Sequence, residues 1–288
     1  MEPIGWQLIL RTVDDRVLAP NPPTRRCIAR VMAAYEGLGI YVFAVADTHL
    51  HIGVLASRSV AGRIAKRVVL SLHRLLGYDF EPVRLRPIHD QAHVRSLLHY
   101  ILRQSEHHGL SNDPFHESSA ILDLLGLRVV MPALAGRVRE HLPRLKAAEV
   151  EAHLGGMPPE RLDLSLLREA ACAAFALADL AGKSPPAVSA RRAAAHAAKE
   201  CATTAAVATS LGITARAVQR FLTEPPVPEN VRAVRLQMGL WSRPSPSPRP
   251  AHAPSPRPPG RPAAAGPLPQ THLSPRGAAA RERAGVEA

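Results

Sequence analysis

The sequence predicts an α+β protein: a ferredoxin-like antiparallel sheet with flanking helices, followed by a smaller all-α helix-turn-helix domain and a disordered tail. Three observations predict it. Up to about residue 90, apolar runs and 3.6-period stretches follow in the order strand, helix, strand, strand, helix, strand, which is the split βαβ pattern. Residues 188–222 resemble two short helices about a glycine-centred turn. Residues 242–288 hold 12 of the chain's 28 prolines and no apolar period.

Each element has its own justification. Residues 6–12 (WQLILRT) read as the first strand, and the Pro-Asn-Pro-Pro signals within 14–23 as a loop. Residues 24–36 read as a helix, with Ile28, Val31, Met32 and Tyr35 on one apolar stripe and Gly37 and Gly39 at its end. Residues 40–46 and 49–55 are two apolar strands broken at Asp47-Thr48. Ser57 or Ser59 caps a helix over 60–76 whose stripe is Ile64, Val68, Leu72 and Leu75, and Gly77 stops it. Arg63, Lys66, Arg67 and Arg74 lie off that stripe, either as phosphate contacts or as a solvated basic face. Residues 80–87 follow as a strand, with Val83 and Leu85 on one face and Arg84 and Arg86 on the other. The next helix, 92–107, buries Val94, Leu97, Leu98 and Ile101. Tyr100 and Gln104 share a face with His93 and His107, roughly 110° from the core stripe, where a side chain can be held and still meet a substrate.

Composition narrows the function classes. The chain has 288 residues, enough for one large domain or two small ones, and a formal net charge of +12. That charge favours a polyanionic partner, most often nucleic acid, without giving sequence specificity; a solvated arginine-rich surface is the bland alternative. Cys27, Cys172 and Cys201 are odd in number and far apart, which argues against a disulfide framework or zinc knuckle and fits a reducing cytoplasm. No basic and apolar leader opens the sequence, and no run of about 18 apolar residues occurs, so neither a signal peptide nor a membrane span is expected.

The chemistry gathers around His49-Leu50-His51. Residues i and i+2 of a strand point to one face, so the two imidazoles stand side by side, a spacing that suits one shared divalent metal. Alone, the pair reads more readily as two solvent-facing histidines on a half-exposed strand. With Tyr100 and Gln104 on a later helix the set becomes coherent. His49, His51 and the Gln104 carbonyl oxygen offer three ligands, and a mixed nitrogen and oxygen shell suits Mg²⁺ or Mn²⁺ more than zinc. The ion would polarise a scissile phosphate, and Tyr100 would be the nucleophile that forms a phosphotyrosine link.

These residues carry a resemblance. Residues 6–130 resemble the single-tyrosine HUH transposases, specifically the REP-associated tyrosine transposase branch of the insertion-sequence 200-like family. The family's His-hydrophobic-His strand motif is matched by His49-Leu50-His51, and its helical tyrosine with a polar ligand four residues on by Tyr100-Ile101-Leu102-Arg103-Gln104. Its trailing glycine, paired serine and Leu-Gly are matched by His108-Gly109-Leu110, Ser118-Ser119 and Leu125-Gly126-Leu127. The family's Pro-Asn before the first histidine is here Asp47-Thr48, and its Asn-Pro after the tyrosine is absent. The resemblance implies the HUH nuclease fold, single-strand cutting at or near a DNA hairpin, a 5′-phosphotyrosine intermediate, strand rejoining, and a homodimer in some members.

The second half reads as a linker with a helix over 137–150 and a Gly-Gly-Met-Pro-Pro boundary at 155–159, then a helix over 161–181 and a loop over 182–186. A leading helix over 191–201 precedes the helix-turn-helix, whose helices are 203–210 and 214–222 about Leu211-Gly212-Ile213. Arg216, Gln219 and Arg220 face outward on the second, and arginine and glutamine are types that read base edges. An alanine-rich helical hairpin is the alternative. The resulting domains are 1–130, a linker 131–159, 160–241 and the tail 242–288, whose seven arginines face two glutamates. The expected function is a metal-dependent single-strand DNA endonuclease and strand transferase. Its rivals are a catalytically silent DNA-binding or regulatory descendant, and an RNA-binding sheet, which would need aromatic residues where this one bears histidines.

Overall fold

The structure is a computed structural model that describes residues 2–104, 116–138, 141 and 163–242. Strands β1 (Gly5–Arg11), β2 (Ile40–Ala46), β3 (His49–Val54) and β4 (Arg84–Ile88) form one sheet in the order β2-β3-β1-β4, with every neighbouring pair antiparallel. Helix α1 (Pro22–Ala33) joins β1 to β2, and α2 (Arg58–Leu76) joins β3 to β4. The fold is thus α+β with a four-stranded antiparallel sheet and flanking helices, and its strand order is compatible with two interleaved split βαβ units.

Strand alternation gives the sheet two unlike faces. The register sets Leu8 opposite Ile52 and Leu10 opposite Leu50, and these pack with Ile28 and Met32 of α1 and Ile64, Val68 and Leu72 of α2. Each such side chain taken fully out of water contributes about 1.5–3 kcal/mol. Arg58 at the start of α2 stacks over the Trp6 ring on this same face. The other face carries Gln7, Ile9 and Arg11 of β1 opposite Gly53, His51 and His49 of β3. Ala44 and Ala46 of β2 flank the two histidines, and Arg84 and Arg86 of β4 face Ile9 and Gln7. Helix α3 (Gln91–Leu102) lies against β2 and β3 on this face, and Val94, Leu97, Leu98 and Ile101 are all buried.

Several expected boundaries move. Helix α1 begins at Pro22, because the Asn21 side chain accepts the Thr24 amide and proline is preorganised for a first helical turn. It ends at Ala33, and a short 3₁₀ turn, Glu36–Leu38, leads into β2. Leu75 was expected in the α2 stripe but is 57% exposed; the helix closes at Gly77, in the left-handed region, and it is Leu76 of the last turn that packs against the core. Strand β4 starts only at Arg84, since Pro82 has no N–H to give the ladder, and Phe80 makes an isolated bridge to Thr12.

Gly53 is a place where only hydrogen fits. A Cβ there would lie 2.6 Å from the Tyr41 ring and 2.7 Å from Val42 Cγ1. Tyr41 is wholly buried, which pushes its hydroxyl pKa up, so the ring has little room to retreat. Gly53→Ala is expected to cost about 1–3 kcal/mol of stability, read by urea denaturation.

The segment at 116–128 seals the sheet edge. Val45 donates its amide to the Ser118 carbonyl and Ala120 donates to that of Phe43, so the Ser118-Ser119 pair sits along β2. Two short helices follow, α4 (Ile121–Leu124) and α5 (Leu134–Val138). Arg128 and Asp123 form a buried ion pair, with Arg128 Nε 3.0 Å from Asp123 Oδ2. All the described residues belong to one compact unit.

A second hydrophobic cluster lies in the C-terminal helices. A 3₁₀ turn (Leu164–Leu166) leads into α6 (Leu167–Ala174), followed by α7 (Pro185–Ala198), α8 (Thr204–Leu211), α9 (Ala215–Thr223) and α10 (Pro228–Trp241). The expected helix over 161–181 therefore ends at Ala174. Tertiary bonds override its alanine propensity: the carbonyls of Ala174, Phe175 and Leu177 accept from Val129, Arg30 and Arg26, and Ala176 turns into the left-handed region. The leading helix begins at Pro185 rather than Arg191, again on a first-turn proline. Helices α8 and α9 flank the expected turn, Gly212 has a φ of 65°, and Thr203 and Thr214 cap the two helices by accepting the Ala206 and Ala217 amides.

Cys172 is buried in this cluster, and burial pushes its thiol up to about 11. Alkylation of the native chain at pH 8 is expected to leave Cys172 unlabelled while Cys27 and Cys201 react, with equal labelling of all three in urea. Because its folded pKa is raised, the stability Cys172 contributes is present below the ordinary thiol value and is lost as pH rises toward 11.

Among the described residues no helix is long and apolar enough to cross a membrane. His107, His108-Gly109-Leu110, most of the helix expected over 137–150, the boundary at 155–159 and the tail from 243 onward lie outside the described residues.

Candidate functional site

The site is built where α3 crosses the open face of the sheet. The β2–β3 hairpin turns at Asp47-Thr48, with Asp47 at a φ of 52°, a conformation that Asp tolerates better than most residues. That turn opens β3 on His49, and the strand period puts His51 on the same face; their ring centroids are 5.0 Å apart. Thr48 Oγ1 lies 3.2 Å from His49 Nδ1. The Gln7 Nε2 on β1 lies 3.1 Å from His51 Nδ1, to which its amide donates, and both side chains are buried, at 6% and 3% exposure. The alanines of β2 on the other flank leave space that α3 fills.

Helix α3 is fixed at its start by Asp90, whose side chain accepts the His93 amide at 2.7 Å. Its buried stripe holds the rotation that sets Tyr100 at the border, 41% exposed, with its ring 5.9 Å from that of His51 and nearly perpendicular to it. The helix was expected to run to residue 107 but is capped at Arg103. Gln104 thus lies just past the cap. Its side chain is 1% exposed and turns back so that Nε2 donates to the Tyr100 carbonyl at 3.2 Å. Its Oε1 is buried and has no hydrogen-bond partner among the described residues. A buried carbonyl oxygen without a partner is uncommon, and it is the atom expected as third ligand. No cluster of three or more His, Cys, Asp or Glu suited to a metal occurs among the described residues; the expected ligand set has two histidines and, as its third member, a carboxamide. Two imidazoles and a buried amide oxygen fit a divalent ion.

The expected phosphate contacts divide into three groups. Arg84 and Arg86 are exposed on the same sheet face as the histidines, and the register adds Arg11 beside them, which the sequence reading did not single out. Arg63, Lys66 and Arg67 are exposed on α2, which covers the opposite face of the sheet, so they do not join the histidines. Arg216, Gln219 and Arg220 are exposed on α9. Beside Arg220, an open cleft of about 600 Å³ is lined by Lys183, Arg191, Ile213 and Phe221. His93 is exposed and its ring pairs with that of His89, 6.4 Å between centroids.

Sequence reasoning missed Gln7 and the ion network that anchors the neighbouring segment. Arg26, in the middle of α1, is 1% exposed and donates to Glu117 at 2.8 and 2.9 Å and to Glu169. Burial works to push the Glu117 carboxyl up, against the pull of Arg26. No protein-family model matches the chain, and neither a curated protein nor a solved structure matches it.

Proposed function

We propose that the chain is a metal-dependent single-strand DNA endonuclease and strand transferase of the tyrosine HUH type, acting on hairpin DNA through a 5′-phosphotyrosine intermediate. One observation carries this reading. A half-exposed tyrosine stands 5.9 Å, ring to ring, from His51 of a histidine pair on a different element, and one turn further on lies a buried amide oxygen without a hydrogen-bond partner among the described residues. A core histidine pair has no need of that company.

His49, His51 and Gln104 would hold the ion, Mg²⁺ or Mn²⁺ by its donor set. When bound, it supplies Lewis-acid polarisation of the scissile phosphate and stabilises the departing 3′ oxygen. Tyr100 Oη attacks phosphorus, the Oη–P bond forms, and the P–O3′ bond breaks. The phenolic proton leaves to water, and the 3′ oxygen takes one from water. Rejoining reverses these steps with a new 3′ hydroxyl. Arg11, Arg84 and Arg86 give the same sheet face a basic edge for the phosphates of one strand. The α8–turn–α9 unit, with Arg216, Gln219 and Arg220 outward, is proposed as a helix-turn-helix that selects the DNA.

The test is metal removal. Purified protein and labelled single-stranded hairpin DNA from the flanks of the encoding gene are incubated with Mg²⁺ or Mn²⁺. Cleavage is expected with either ion, is abolished by EDTA, and returns on adding excess ion. Binding without cleavage across ions and hairpins would favour a catalytically silent regulator instead.

A further inference from the structure

We propose that the cleft between α7 and α9 is a clamp for a phosphate of the DNA backbone, set beside the residues that read bases; this rests on the helix-turn-helix reading above. The cleft has a volume of about 600 Å³, and three cations from separate places line it: Lys183 from the loop before α7, Arg191 from α7 and Arg220 from α9. Among the described residues no carboxylate lines it, and none of the three cations is in an ion pair. Other cations of these helices are paired, as Arg192 is with Glu224 and Arg235 with Glu200. Asp179, in the loop before Lys183, turns its carboxylate to the Ala181 amide. Three like charges around one cleft repel each other, and a bound anion relieves that repulsion.

The fold holds these cations without neutralising them. Arg191 donates to the Leu180 and Gly182 carbonyls at 3.1 and 2.8 Å, which fixes its guanidinium and leaves its charge. Its Nε–H is buried with no acceptor among the described residues, so the group is one acceptor short. Gly182 has a φ of 79°, a conformation open to glycine, and the residue after this turn is Lys183. The Arg220 guanidinium lies 5.7 Å from the Phe221 ring centroid. Val188, Ile213 and Ala217 supply apolar walls that suit the carbon face of a deoxyribose next to the phosphate. Position favours DNA over a free anion. Arg220 stands one turn from Arg216 and next to Gln219 on the exposed side of α9, so a strand read by those two passes the cleft. The assignment divides the labour: Arg216 and Gln219 face base edges, while Arg220 with Lys183 and Arg191 holds the backbone.

The experiment reads fluorescence anisotropy of labelled hairpin DNA from the flanks of the encoding gene, and of a hairpin with a scrambled stem, as the full chain is added at a series of KCl concentrations. The variants are the double change Lys183→Ala with Arg220→Gln, then Ala217→Leu, which fills the cleft without changing charge, and Gln219→Ala. The double variant is expected to weaken binding of both hairpins roughly 5-fold at about 0.15 M KCl and to flatten the salt slope by about 1, the share of one phosphate. Ala217→Leu is expected to weaken both by a similar factor. Gln219→Ala is expected to lower the preference for the flank hairpin and leave the slope alone. A double variant with the wild-type slope, or an Ala217→Leu chain that binds like wild type, would overturn the clamp; the second result would mean diffuse charge attraction. The control arm titrates dAMP into the DNA-free chain. Binding of dAMP that needs Lys183 and Arg220, where DNA binding does not, would make the cleft a small-molecule site and also overturn the proposal. An unchanged preference in Gln219→Ala, beside the expected loss in the double variant and in Ala217→Leu, would support the clamp and sink the helix-turn-helix reading.

Discussion

Replacing Tyr100 by phenylalanine is expected to reduce cleavage of hairpin DNA by roughly 10⁴-fold or more, the scale seen when a covalent nucleophile is removed. The change deletes one oxygen from a ring that is 41% exposed and leaves the packing of Leu97, Leu98 and Ile101 untouched. Stability is expected to stay within about 0.5 kcal/mol of wild type. Mn²⁺ and DNA binding are expected to persist, because the proposed ligands and basic edge are intact. His51→Ala and Gln104→Ala are expected to lower cleavage too, with loss of metal affinity in parallel. Single-turnover cleavage rates and Mn²⁺ titration of the same preparations separate the two kinds of defect. A Tyr100→Phe chain that still cuts at the wild-type rate would remove the nucleophile from the account.

The second large effect concerns stability. Arg26→Met is expected to destabilise the chain by about 3–5 kcal/mol in urea denaturation, because it strands Glu117 in the interior without its cation. Glu169 also loses its partner, but it is more exposed and contributes less to the cost. The pair joins α1 to the segment that seals the edge of β2, and through Glu169 to α6. The double change Arg26→Met with Glu117→Leu is expected to recover part of the loss, since no buried charge is then unpaired. Equal destabilisation by the single and double changes would mean that packing around Arg26, and not the ion pair, sets the cost.

Much of the sheet was legible in the sequence because it rests on local patterns. The spacing of His49 and His51, the alternation of Leu85 with Arg84 and Arg86, and the stripe of α3 are all read within a few residues. Helix ends were less legible, because they depend on distant partners. α6 ends at Ala174, where Val129 reaches its last carbonyl and Arg30 and Arg26 reach those of Phe175 and Leu177 just beyond, and nothing near residue 174 announces them. Arg63, Lys66 and Arg67 show another limit of periodicity: it marks them as facing away from the core, but not which face of the sheet their helix covers. Gln7 sat in what read as a compact apolar strand, and its partner is 44 residues away. A polar residue inside WQLILR, alternating with the core positions Trp6 and Leu8, was the signal that could have found it.

The most direct measurement is to locate the DNA on the protein. Wild-type chain is reacted with hairpin DNA and Mn²⁺, denatured, digested with nuclease and trypsin, and analysed by mass spectrometry. The expected result is a phosphonucleotide adduct on the peptide 96–103 (SLLHYILR), attached at Tyr100 and absent when EDTA is present. An adduct on one of the chain's other three tyrosines, or cut DNA with no protein adduct at all, would contradict the covalent mechanism.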